Sequence, residues 1–162
     1  MDTASNADPP PAPRGEFLFS RAGPCGASAI LPRRATAGSA GYDLCAASAC
    51  SLPPRAASSV PTGWSVRIPR GKFMWIAPRS GLAARGIAVG GGIVDSDYTG
   101  EVRVILFNHT DDAVAIEEGD RVGQAIVMDC EQNLVPAEVA ALPPLEGDMS
   151  ARGGGGFGST GR

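Results

Sequence analysis

Glycine and proline interrupt this chain so often that a long helix has little room to form: 22 Gly and 14 Pro are spread over 162 residues. Between the interruptions lie short runs in which apolar side chains recur at every second position, the period of a half-buried strand. Short strands and turns are therefore expected. The length supports one core and is too short for two ordinary domains. A hydrophobic fraction of 43% excludes a chain disordered throughout.

The strands can be read in order. Phe17-Leu18-Phe19 is a first candidate, and Ile30-Leu31-Pro32 leads through small residues into Gly41-Tyr42-Asp43-Leu44-Cys45. Within that run Asp43 is either a turn carboxylate or a group facing a cation. Trp64, Val66 and Ile68 alternate, and Lys72 to Ala77 follows after Arg70-Gly71, which reads as a hairpin. Ser80 to Gly86 reads as one helical turn with Ser80 at its start, either a capped connection or an anion site beside Arg79. Val102 to Asn108, Val114 to Ile116 and Arg121 to Met128 complete the set. Gly123 weakens the last of these and marks a close approach of backbone or ligand. Even spacing without a sustained helical period predicts an all-β sandwich, jelly roll or barrel.

Charge and cysteine usage narrow the function. With 14 basic and 17 acidic residues interspersed and a net charge of −3, the chain lacks the field that would hold a nucleic-acid polymer. A small phosphorylated ligand needs only a few arginines in a cleft. Cys25, Cys45, Cys50 and Cys130 form no C-x-x-C pair and read as reduced thiols. No signal-peptide core or membrane-length apolar run occurs, so a soluble, intracellular protein with no membrane partner is expected. Asn108-His109-Thr110 matches the glycosylation sequon by chance on this reading, and His109, the single histidine, reads as a turn residue.

Residues 1–14 form a proline-rich leader expected to be disordered, residues 15–142 the β-domain, and residues 143–162 a flexible Gly-rich arm. Arg152 to Arg162 nearly spells a phosphate-binding loop of the Walker A type, but Ser159 stands where its lysine belongs. A Gly-rich arm with one ring and two hydroxyls can still wrap phosphate and cap a base.

The densest chemistry lies in Gly91-Gly92-Ile93-Val94-Asp95-Ser96-Asp97-Tyr98-Thr99-Gly100-Glu101, between two strand-like runs. Glycines admit close backbone approach to a ligand. An Asp beside a Tyr supplies a base and a flat wall. Alone, such a D-x-D-Y stretch reads as a hairpin turn with solvated acids, and the rest of the chain turns the reading toward an active site.

Five runs together resemble the trimeric dUTPases: Ala40-Gly41-Tyr42-Asp43-Leu44, Pro78-Arg79-Ser80-Gly81-Leu82-Ala83, Gly92 to Glu101, Gly119-Asp120-Arg121-Val122-Gly123-Gln124, and Arg152 to Gly161. The resemblance implies a β-jelly roll, or distorted barrel, of short strands with one helical turn. It also implies a homotrimer with sites shared between subunits and hydrolysis of dUTP to dUMP and pyrophosphate with Mg2+. Such a reaction keeps uracil out of DNA and supplies dUMP for dTMP synthesis. By matched position, Asp95 would orient and deprotonate the attacking water, and Gln124 would contact the α-phosphate and help place that water. Arg79, Ser80 and Gly81 would hold the phosphates, and Asp43 would hold magnesium through its waters. Tyr98 would pack under the deoxyribose and exclude a 2′-hydroxyl. Backbone around Gly92, Ile93 and Val94 and, on the return strand, at Arg103 would read the uracil edge. Arg152, Phe157, Gly158, Ser159 and Thr160 would form a lid, with Phe157 on the base.

The chemistry agrees with that assignment. A free aspartate, of pKa about 3.9, is a weak base at neutral pH. Acceleration must then come mainly from aligning water with the α-phosphorus and neutralising triphosphate charge. Small departures from the family pattern, the order Ile93-Val94 before Asp95 and Gly123 where Ala is usual, touch packing more than chemistry. The Ala-, Gly-, Pro- and Arg-heavy composition suggests a GC-rich genome, such as a poxvirus. Two rivals are a dCTP deaminase relative and a non-catalytic trimeric binding module. The first needs an acid on the strand after the hairpin, and Val104-Ile105-Leu106-Phe107-Asn108 has none.

Overall fold

The computed structural model describes residues 16–143. The leader and the arm residues Arg152, Phe157, Gly158, Ser159 and Thr160 lie outside these. The chain divides into two units, residues 1–132 and 133–162. The described part of the second, residues 133–143, is exposed and contains no helix or strand.

The first unit is built of antiparallel strands. One sheet has the order β1 (Leu18–Arg21), β4 (Ala57–Arg67), β8 (Glu101–Asn108) and β6 (Ile87–Gly90). A second has the order β2 (Tyr42–Cys45), β10 (Arg121–Asp129), β5 (Lys72–Ala77) and β7 (Ile93–Val94). A two-stranded sheet joins β3 (Cys50–Leu52) to β9 (Val114–Ile116). The one helix among the described residues, α1 (Ser80–Ala83), is a single turn. This is an all-β architecture, as the strand spacing predicts, and of those it allows it is the jelly roll that the resemblance implies.

Alternation explains the core. Along β8, Val102, Val104 and Leu106 are buried while Arg103, Ile105 and Phe107 point outward. They pack in one cluster with Val60 of β4 and with Leu44, Met74, Ile76 and Val122 of the second sheet. Each such side chain contributes roughly 1.5–3 kcal/mol relative to exposure. Gly123 lies at a register shift in β10, and a Cβ there would meet Ile76 Cγ2 at 3.2 Å and Val104 Cγ1 at 3.4 Å. The close approach at this glycine is therefore one between packed sheets, not one to a ligand.

Two local expectations are corrected. β4 and β5 do not form a hairpin: β4 has both edges taken by β1 and β8, so the turn after Pro69 delivers β5 to the other sheet, between β10 and β7. Gly71 in that turn has φ +76°. Ser80 does not cap α1. The N-cap position is Arg79, without a side-chain hydrogen bond.

Asn108 closes the end of β8. It is 1% exposed, and its amide nitrogen lies 2.8 Å from the carbonyl of Asp112 and 3.1 Å from those of Leu52 and Pro53. Its Oδ1 accepts from the backbone N–H and hydroxyl of Thr110. A side chain so enclosed cannot serve as a glycan acceptor, which removes the sequon. His109 follows in the turn, stacked on Phe107. No helix among the described residues is long and apolar enough to cross a membrane.

Candidate active site

The stretch 91–100 departs from a simple hairpin. β6 and β8 pair from Ile87–Asn108 as far as Gly90–Ile105, and there the ladder stops. Gly91, at φ +57°, turns the chain away, and Ile93 and Val94 pair instead with Trp75 and Met74 of β5. The connection thus straddles both sheets, and the β8 edge at Arg103 and Val104 loses its strand partner on that side. A cavity of about 270 Å3 opens in the gap, lined by Ile93, Asp95, Tyr98, Glu101, Arg103 and Ile105 among others.

Local geometry sets the walls. The Ile76 N–H donates to the Gly92 carbonyl at 2.7 Å, and a Cβ on Gly92 would sit 2.5 Å from the Ile76 carbonyl oxygen. Only glycine permits that approach. The Tyr98 N–H donates to Asp95 O at 3.2 Å, closing a turn, and the Tyr98 hydroxyl donates to Glu101 O at 2.9 Å. The ring lies back over Gly100, where a Cβ would fall 2.5 Å from the hydroxyl oxygen. Arg103 is held from two sides: Nε donates to Ser59 Oγ at 2.9 Å, Nη2 to Ser59 O at 3.0 Å and Nη1 to Glu101 Oε2 at 2.8 Å. Asp95, exposed, lines this cavity and also an adjoining one of about 650 Å3 with Arg67, Arg70, Asp97 and Gln132.

A separate cavity of about 210 Å3 lies on the second sheet, lined by Gly41, Asp43, Arg79, Ser80 and Gln124 with two small neighbours. The β2–β10–β5 register sets Asp43, Gln124 and Ala77 side by side. The Asp43 carboxylate pairs with Arg79 through Oδ1 and with Arg121 through Oδ2 at 3.4 Å. Gln124 Nε2 donates to Pro78 O at 2.9 Å, and a Cβ on Gly41 would meet Gln124 Oε1 at 2.7 Å. Gly41 therefore makes room for the glutamine. Gly81 is exposed, with open space where a Cβ would stand.

Two thiols are shifted away from reactivity. Burial pushes the Cys45 pKa up, and the neighbouring Asp43 carboxylate raises it further; burial alone raises Cys50. All four cysteines are free. A thiol shifted in this direction is less populated as thiolate, the nucleophilic form.

The predicted residues thus fall into two groups. Asp95, Tyr98, Ile93, Val94 and Arg103 line one cavity, with Gly92 behind it, while Asp43, Arg79, Ser80 and Gln124 line the other. For magnesium, the described residues hold no group of three His, Cys, Asp or Glu able to cage an ion. Asp43 is the one carboxylate lining the arginine-bearing cavity, and with Arg79 and Arg121 on its two oxygens it suits Mg2+ only through the ion's retained waters. Sequence reasoning missed the supporting roles of Gly41, Ser59, Glu101 and Arg121. Glu101 and Arg121 stand inside the quoted runs, but Ser59 is in β4, far from them in sequence, and carries no local signal.

The dUTPase family model matches residues 27–161. The chain is 45% identical over 155 residues to the deoxyuridine 5′-triphosphate nucleotidohydrolase of avian adenovirus 8, covering 94% of this chain and 88% of that one. It is 47% identical over 136 residues to the protein of the same name in Saccharomyces cerevisiae, covering 83% and 89%. A solved dUTPase of Staphylococcus bacteriophage 80alpha with dUPNHPP superposes at TM-score 0.75 and 23% identity, over 91% of this chain and 99% of that one. That likeness speaks for the fold. Relatives in a virus and a yeast do not single out a poxviral form. Family match, sequence identity and fold together establish that this chain belongs to the dUTPase family.

Proposed function

We propose that the chain hydrolyses dUTP to dUMP and pyrophosphate, in sites each assembled from more than one copy of a homotrimer. The observation that carries this reading is the division of one chain into two complementary halves. The splayed hairpin offers a base-sized slot with a carboxylate at its mouth, and the Asp43–Arg79–Gln124 cavity offers phosphate chemistry elsewhere on the same chain. Neither half suffices alone, and bringing the hairpin of one copy to the cavity of another completes the site. Trp75, Ile93 and Met128 are 41%, 59% and 43% exposed on strands of the second sheet. Exposed apolar groups of this size suit burial between copies.

In this reading the unpaired β8 edge at Arg103 and the backbone around Gly92 to Val94 meet the uracil edge. Cytosine would present a donor where uracil presents an acceptor, and polar groups left unpaired in a closed site make such discrimination large. Tyr98, pinned by its hydroxyl to Glu101 O, leaves no space for a 2′-hydroxyl. Arg79, Ser80 and Gly81 hold phosphate oxygens, and Gln124, anchored on Pro78, contacts the α-phosphate and orients the water. Asp95 accepts the water's proton as attack proceeds in line with the leaving pyrophosphate. Asp43 would hold magnesium through the ion's waters, and the ion would supply charge neutralisation on the triphosphate. Alignment of this kind can supply about 7–11 kcal/mol of the barrier. No covalent intermediate is required. The arm residues Arg152, Phe157, Gly158, Ser159 and Thr160 close the site, with Phe157 over the base. The enzyme so described works inside the cell, limits uracil in DNA and supplies dUMP for dTMP synthesis.

The test is incubation of the purified protein with Mg2+ and, separately, dUTP, dCTP, dTTP and UTP, with products followed by chromatography. Conversion of dUTP alone to dUMP is expected. Deaminated product from dCTP, or no turnover of any nucleotide, would overturn the reading.

A further inference from the structure

The hairpin ends at a carboxylate that the proposed reaction leaves unused. Glu101 opens β8 with its side chain only 13% exposed, in a cradle made by two glycines. Its Oε1 accepts from the Gly63 N–H at 2.9 Å, while a Cβ on Gly23 would stand 3.0 Å from that same oxygen. Gly23 and Gly63 have φ of +68° and +73°, and a Cβ on Gly63 would strike Ala29 Cβ at 2.5 Å. Both positions therefore demand glycine, and the space they leave is filled by the carboxylate. Gly63 also lies within the register shift of β4 against β8, between Pro61 and Ser65, which turns its N–H out of the ladder and toward Glu101.

The other bonds of Glu101 run into the pocket. Oε2 accepts from Arg103 Nη1 at 2.8 Å, and the backbone carbonyl accepts from the Tyr98 hydroxyl at 2.9 Å. One residue thus ties the sugar-facing ring, the guanidinium on the pocket wall and the bulge of the neighbouring strand. A carboxylate does this where an amide cannot: its two oxygens both accept, from a backbone N–H on one side and a cation on the other.

We propose that Glu101 is a positioning residue that sets the base-and-sugar pocket by locking Arg103 and the foot of the hairpin onto the Gly63 bulge. This rests on the dUTP reading above. Glu101 touches no reacting atom, so its loss acts on substrate binding more than on the chemical step. The informative variant is Glu101→Gln, which keeps the shape and the acceptor for Gly63 but can turn an N–H donor toward Arg103. Its KM for dUTP is expected to rise about tenfold with kcat within about threefold of the parent and an unchanged melting temperature. Glu101→Ala leaves the Gly63 N–H unpaired and is expected to lower the melting temperature as well.

A double-mutant cycle supplies the decisive readout. In an Arg103→Ala background, Glu101→Gln is expected to raise KM less than twofold further, because the partner is already gone. Effects of Glu101→Gln and Arg103→Ala that multiply in full, or a Glu101→Gln enzyme with parental KM, would overturn the proposal. A fall in kcat at parental KM would overturn it too. A parent unable to turn over dUTP would be seen before any variant is made, and would sink the functional reading itself and this inference with it.

Discussion

Replacing Asp95 by Asn is expected to lower kcat for dUTP by about 10³-fold while leaving nucleotide affinity close to the parent's. Asn keeps the size of the side chain and an oxygen able to orient water, but it cannot accept the proton released as the water attacks. The side chain is exposed at the junction of two cavities and is not a structural support, so the substitution leaves the core intact. Steady-state kinetics and titration with the analogue dUpNHpp check both parts. Turnover near the parent's would remove Asp95 from its role as base.

Deleting residues 152–162 is expected to leave a folded oligomer whose kcat for dUTP is reduced about 10²-fold. The deleted residues include Phe157, Ser159 and Thr160. The buried core between the two sheets is built from residues lying between Leu44 and Ala125, all of which the shortened chain keeps, so its melting temperature is expected to match the parent's. In the proposed reading the arm closes over the nucleotide, excluding water and completing the phosphate contacts, and loss of such closure would weaken every electrostatic contribution in the site. Thermal melting, light scattering and kinetics on one preparation separate the possibilities. Full activity in the shortened chain would make the arm a spectator.

Strand positions were legible in the sequence wherever side chains alternate. Val102, Val104 and Leu106 announce the buried face of β8, and β9 covers the expected Val114 to Ile116. Pairing was not legible, because periodicity says which face is buried and nothing about which edge is free. Hence the expected hairpin of β4 and β5 is instead a crossing between sheets. The same limit applies to the active-site stretch. Its glycines and acids mark it as chemical, but only the β7–β5 pairing explains how the slot opens beside Arg103. Supporting residues are the hardest to read. Ser59 meets Arg103 across 44 positions of sequence, and Gly63 meets Glu101 across 38. Gly41 looks like a turn residue until the Gln124 side chain is found lying where its Cβ would be.

Subunit mixing tests whether each site is shared between copies. An Asp95→Asn chain carries a dead hairpin and an intact phosphate cavity, while an Arg79→Ala chain carries the reverse. Each alone is expected to be inactive. Unfolded together in equal amounts and refolded, they are expected to recover about one quarter of parental activity. In a cyclic trimer each interface has a one-in-four chance of joining the two intact halves. A mixture as inactive as its components, with each chain a monomer by light scattering, would contradict the account.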